Sequence, residues 1–209
     1  MRWLKCLLLG LALLAPNVGV WADEPVRVDV QLVLAIDSST SVDMDEFYLQ
    51  LEGYAAAFRH PDLLKAIQSG PQKAIAVALF EWSDPDQQVV NFPWRVLRDE
   101  ADLAAFAEEL MMAPRLVIGG QTAIGNAIDY AVALFLASGV EGGRRVIDMS
   151  GDGASNRGRD VRVARDNAVF LGITINGVAI LNEEPDLVTY YQRFVVGGVG
   201  AFALPAKAY

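Results

Sequence analysis

The feature that most constrains this chain is Leu32-Val33-Leu34-Ala35-Ile36, an apolar run that ends abruptly in Asp37-Ser38-Ser39-Thr40-Ser41. A short, continuous apolar stretch reads as a parallel strand buried on both faces, because neither face meets water. Polar residues at the carboxyl end of such a strand stand where open α/β sheets bind their ligands. In an extended backbone Asp37, Ser39 and Ser41 project to one side. One carboxylate and two hydroxyls then form an all-oxygen half-shell, which suits a hard divalent cation such as Mg²⁺. The plainer reading makes Ser39 or Ser41 the cap of the following helix, a common use of serine.

The first 22 residues read as an address rather than as part of the fold. Arg2 and Lys5 form a positive n-region, residues 6–15 an apolar h-region, and Val20-Trp21-Ala22 a small-residue cleavage pattern. Cleavage after Ala22 leaves an exported chain, periplasmic or secreted, of about 187 residues, the size of one well-buried domain. No later stretch reaches the ~20 apolar residues of a membrane span. Cys6 is the only cysteine and lies inside the leader. Disulfides and thiolate metal sites are therefore excluded from the mature chain, and any metal must be held by oxygen or by His60. Removing Arg2 and Lys5 from the 17 basic residues leaves 15 against 26 acidic ones, a net charge of about −11. That balance argues against nucleic acid and anionic lipid as partners. The tightest basic cluster, Arg157, Arg159, Arg162 and Arg165, is interleaved with acids and reads as a solvated helix face.

Beyond the leader, strand and helix patterns alternate. Strands are expected at 28–36, 73–82, 88–96, 145–150 and 173–180, with a last short one at 202–204. Helices are expected at 43–59, 99–112, from the Gly119–Thr122 loop to about 137, and at 159–171 and 186–194. Pro93 marks the third strand as an edge, paired antiparallel with its predecessor through the turn at Ser83-Asp84-Pro85-Asp86. The whole reads as a three-layer, doubly wound α/β fold with a mostly parallel sheet and one antiparallel edge strand. No helical pattern follows the last strand before Tyr209, so the final helix of such a fold is expected to be missing, its place taken by a partner or lost in a shortened gene product. Gly197-Gly198-Val199-Gly200 reads as a flexible turn.

Two more loops carry chemistry. Thr122 opens a helix, where a hydroxyl either caps or binds, and Asp152 follows a buried strand between two glycines that permit a sharp turn. Taken together, Asp37-x-Ser39-x-Ser41, Gly120-Gln121-Thr122 and Asp152-Gly153 resemble the metal-ion-dependent adhesion site of the von Willebrand factor type A (vWA) family, over nearly all of residues 28–205. The segment from Val146 to Gly153 looks like the signature of a bacterial subgroup of exported proteins with this fold, domain of unknown function 1194. By that resemblance Ser39, Ser41 and Thr122 would touch the metal directly or nearly so. Asp37 and Asp152 would act through waters or as alternating ligands. The ion would be Mg²⁺, or Mn²⁺ or Ca²⁺, with an open position for an Asp or Glu from a protein partner. Asp148 competes with Asp152 for the metal role, but it lies inside the predicted strand and is expected instead to accept hydrogen bonds from neighbouring loops.

Enzymatic readings fare worse. A haloacid-dehalogenase-like phosphatase also uses a strand ending in aspartate and a Gly-Asp-Gly loop. It needs a second acid two residues after the nucleophile, where this chain has Ser39, which cannot shuttle a proton at neutral pH. A serine hydrolase lacks its G-x-S-x-G elbow and would have to use His60, which precedes Pro61 at a helix end and reads as a surface residue or a C-terminal dipole partner. A dinucleotide fold lacks the glycine-rich phosphate loop. A metal-free scaffold, in which the motif survives only as turns and caps, is the remaining alternative.

Overall fold

The computed structural model describes residues 25–181 and 184–207. The leader assigned to residues 1–22 lies outside the described residues. The elements run β1 (Val26–Asp37), α1 (Met44–Arg59), α2 (Pro61–Ser69), β2 (Ile75–Trp82), β3 (Gln88–Leu97), α3 (Glu100–Met111), α4 (Ile124–Leu136), β4 (Val140–Gly151), α5 (Val161–Phe170), β5 (Ile173–Leu181), α6 (Leu187–Tyr190) and β6 (Ala203–Lys207), with a π-helical turn at Tyr191–Val195 directly after α6. The strands form one sheet in the order β3-β2-β1-β4-β5-β6. Every neighbouring pair is parallel except β2–β3. The β3 edge carries an irregular register between Arg95 and Phe92, and Pro93 sits in that interruption, where its missing N–H breaks no regular ladder bond.

The apolar run in β1 is buried on both faces. Leu34 and Ile36 pack with Phe47 and Leu51 of α1, Ile67 of α2 and Phe106 of α3. Val33 and Ala35 face the other layer, with Ile124 and Ile128 of α4, Ala164 of α5 and Tyr191. From β1 the chain winds outward to β2 and β3, then crosses to β4, β5 and β6 on the other side. Winding therefore reverses between β1 and β4, and the crevice at the carboxyl ends of those strands is where a doubly wound sheet holds its ligand. There β1 ends at Asp37 and β4 at Gly151. Among the described residues no helix is long and apolar enough to cross a membrane.

Four elements differ from the sequence expectation. Helix α2 was hidden by its length, although Pro61 at its first turn and the preceding His60 form a start signal. His60 Nδ1 accepts from the Asp62 N–H, so this exposed residue is the N-cap of α2 as well as the C-cap residue of α1. β4 begins at Val140 rather than Arg145, because Gly142 and Gly143 read as breakers. Gly142 is instead a close approach, where a Cβ would stand 2.6 Å from Gln31 Cγ. The last helix changes to a π-helical turn, with the Val196 N–H donating to the Tyr191 carbonyl. Residues four apart drift around a 3.6-residue helix, and the wider turn keeps Leu187, Tyr191 and Val195 all buried. Gly197 is not flexible backbone. It forms an antiparallel bridge with Ile175, and a Cβ there would meet Arg165 Cδ at 2.9 Å.

The N-terminus of α1 decides between two readings of the serines. Its cap is Asp43, whose side chain accepts from the Glu46 N–H while Glu46 reaches back to the Asp43 N–H. Neither Ser39 nor Ser41 caps the helix. Asp43→Ala is expected to lower stability by about 1 kcal/mol and to leave metal binding unchanged, which denaturant unfolding and a Mn²⁺ titration would check.

Candidate metal centre

β1 ends at Asp37, and the backbone turns at once. The Ser39 N–H donates to Asp37 Oδ1 at 2.8 Å, and the Val42 N–H to the Ser39 carbonyl at 3.2 Å. This aspartate-centred turn, rather than an extended backbone, brings Ser39 Oγ within 3.2 Å of Ser41 Oγ. Ser41 Oγ in turn donates to Asp152 Oδ1 at 2.9 Å. Four of the five expected residues are therefore joined in one chain of contacts at the winding reversal. Thr122 lies beside Gly153, the residue after Asp152. Its Oγ1 lies 4.0 Å from the position a Cβ on Gly153 would take. It is not the helix cap, because α4 starts from Ala123 with no side-chain cap bond. Asp37, Ser39, Thr122 and Asp152 are at most 5% exposed, whereas Ser41 is solvent-exposed, so the cluster is buried below and open at one side.

Four further sets of contacts fix the loops. Arg115 donates to the carbonyls of Ser38, Ser39 and Val42 from beneath the first loop. Glu81 on β2, fully buried, accepts from the Leu116 and Val117 N–H groups, the Ser38 hydroxyl and the Asn91 amide, and so holds the strap that carries Arg115. Gly120, at φ +101°, takes a conformation closed to most side chains, and its carbonyl accepts from both Thr40 N–H and Thr40 Oγ1. Thr122 is held by its backbone: its N–H donates to Asn156 Oδ1, and its carbonyl accepts from Asn156 N–H and Ser155 Oγ. The three loops are thus bound to one another.

Burial drives the electrostatics. It pushes the Asp37 carboxyl up to about 7; hydrogen bonds from Ser39 oppose the rise, and the charge of Asp152 adds to it. Asp37 Oδ2 is buried without a hydrogen-bond partner among the described residues. A buried carboxylate oxygen with no donor is costly unless a cation satisfies it. Among the described residues no three His, Cys, Asp or Glu side chains are placed to hold a metal. An ion here would be held by hydroxyls with no more than two carboxylates, a donor set of oxygen alone. That set fits Mg²⁺, Mn²⁺ or Ca²⁺ by its hardness.

Asp148 lies outside the cluster, as expected, but its partner is a neighbouring strand rather than a loop. It faces Asn176 across β4 and β5, accepting from the Asn176 amide at 2.8 Å, and burial raises its pKa. Three of the four arginines of the basic cluster are ion-paired, Arg159 with Asp129, Arg162 with Asp160 and Arg165 with Asp166. Sequence reasoning missed Glu81, Arg115 and Tyr191. Glu81 left one signal, an acid inside an otherwise apolar strand. Arg115 left none, since its role depends on a strap conformation that no periodicity encodes.

A family model described as "Protein of unknown function (DUF1194)" matches residues 27–209. No curated protein matches the sequence. Among solved structures, the fold is similar to that of proximal thread matrix protein 1 from the mussel byssus, described with a zinc-occupied MIDAS motif, at 16% identity and TM-score 0.65, over 88% of this chain and 45% of that one. It is also similar to von Willebrand factor type A from Catenulispora acidiphila (18% identity, TM-score 0.56, 87% and 39% covered). The pilus adhesin SpaC from Lactobacillus rhamnosus GG is a third (12% identity, TM-score 0.58, 87% and 28% covered). The chain spans less than half the length of each of these proteins. At such identities the likeness is one of fold, and that fold is the vWA fold expected from the motifs.

Proposed function

The chain belongs to the family described as protein of unknown function (DUF1194) and has the vWA fold, and from there we propose that it is an exported domain that binds a divalent cation and grips a protein partner through it. Ser39, Ser41 and Thr122 supply neutral hydroxyl oxygens to the ion. Asp37 and Asp152 supply the negative charge, through waters or as alternating ligands. Once bound, the ion would offer electrophilic charge and an open position to an Asp or Glu of the partner. The exposed side at Ser41 gives such a residue its approach. One observation carries this reading: Asp37 Oδ2, buried and unpartnered, sits in a cluster of oxygens where the winding of the sheet reverses.

Calorimetric titration with Mg²⁺ and Mn²⁺ tests the site. We expect one binding event that Asp37→Ala abolishes and Thr122→Ala weakens by tenfold or more. The zinc-occupied motif of the mussel protein makes Zn²⁺ the third ion to try. No heat from any of them, and no rise in melting temperature at millimolar metal, would leave a metal-free scaffold as the better reading. Turnover of a phosphate ester that Asp37→Asn abolishes would replace adhesion with phosphatase chemistry.

A further inference from the structure

Tyr191 is packed as though its hydroxyl had a task. The residue is fully buried at the start of the π-helical turn, and π-helical turns recur at functional sites. Its ring lies in a slot made by two glycines on adjacent strands. A Cβ on Gly177 of β5 would stand 2.5 Å from Tyr191 Cδ1, and a Cβ on Gly151 of β4 would stand 2.7 Å from the Tyr191 hydroxyl. Glycine weakens a buried strand and marks places where another group must come close. That same point beside Gly151 is 2.8 Å from Asp37 Oδ2. The two oxygens are therefore no farther apart than the sum of those lengths, a span that one bridging water covers. Neither has a hydrogen-bond partner among the described residues. One is a phenol that can donate, the other a carboxyl oxygen that accepts when ionised. A phenylalanine would fill the slot equally well without burying an orphaned hydroxyl.

Building on the metal-site reading above, we propose that Tyr191 is a positioning residue for that site: its O–H is directed at Asp37 Oδ2 and holds this carboxylate in an outer role, orienting metal-bound water rather than ligating the ion. Groups of this kind commonly change metal affinity by 10–100-fold when removed. The test is Tyr191→Phe in the full chain, with Mn²⁺ as the probe. We expect Mn²⁺ affinity to fall at least tenfold and the melting temperature of the metal-free protein to hold or rise. The electron paramagnetic resonance spectrum of bound Mn²⁺ should also change as Asp37 is released into the coordination shell. A hydroxyl that merely fills space would leave both affinity and spectrum unaltered. Gly151→Ala, which places a methyl between the two oxygens, should weaken Mn²⁺ binding in the same direction. Wild-type affinity in Tyr191→Phe overturns this inference while leaving the metal site standing. Absence of Mn²⁺ binding in the wild-type protein overturns both.

Discussion

Asp37→Asn is expected to stabilise the metal-free protein at pH 8 and at the same time to remove its response to divalent cations. Burial is the main reason that the Asp37 carboxyl is pushed up to about 7 from an ordinary 3.8. A carboxyl whose folded pKa is raised favours the folded state only while it is protonated. That contribution is complete below about pH 4, the unfolded value, and is lost as pH rises through about 7. Above that window the ionised, half-partnered carboxylate costs roughly 4 kcal/mol. Asparagine keeps an oxygen for the Ser39 N–H and carries no charge, so most of this cost disappears. We expect a gain of roughly 2–4 kcal/mol at pH 8, several degrees in melting temperature, shrinking toward zero near pH 4. Saturating metal offsets most of that gain. At a hundred times its Kd a cation adds about 2.7 kcal/mol to the wild type and nothing to the variant. Thermal melts at pH 4 and pH 8, with and without Mn²⁺, check both halves. A variant less stable than wild type at pH 8 without metal would show that Asp37 is not held at a cost.

Glu81→Ala should be the most damaging single change near the site. Glu81 lies on a strand with no exposed side chain, and its two oxygens accept from Leu116 N–H, Val117 N–H, Ser38 Oγ and the Asn91 amide. Alanine leaves the Val117 N–H and the Ser38 hydroxyl buried without this acceptor and the part-buried Leu116 N–H and Asn91 amide released, and each buried donor left unmade costs about 1–3 kcal/mol. We expect a loss of roughly 3–5 kcal/mol in denaturant unfolding. The damage reaches the candidate site through Arg115, which lies next to the released segment and is the donor to the Ser38, Ser39 and Val42 carbonyls. Mn²⁺ affinity should therefore fall together with stability, whereas Asp43→Ala lowers stability alone. An unfolding free energy within 1 kcal/mol of wild type would show that the strap is held by other contacts.

The layout of the fold was legible because it rests on periodicity. The two-sided burial of β1, the alternation of strand and helix, and the edge position of β3 all follow from apolar spacing and from Pro93. The elements that were missed or misjudged depend on backbone detail. Gly142 sits inside a strand because Gln31 needs its missing Cβ, and composition alone reads such a glycine as a turn. Gly177 fell within its expected strand, but the close approach of Tyr191 that requires a glycine there left no sign. The site residues were legible as a set of oxygen-bearing residues, yet the reason for their convergence was not. It is the turn accepted by Asp37 Oδ1, and not strand alternation, that brings Ser39 and Ser41 together. The partners that hold the loops, Glu81 and Arg115, act across 35 and 76 residues of sequence and leave almost no local trace.

Anomalous diffraction at the manganese edge, from crystals of the protein grown with Mn²⁺, addresses the metal site most directly. One strong peak is expected, bordered by the hydroxyls of Ser39, Ser41 and Thr122, with the carboxylates of Asp37 and Asp152 close behind. A map with no peak there, or with its peak at another part of the surface, would contradict the proposal that these loops exist to hold a cation.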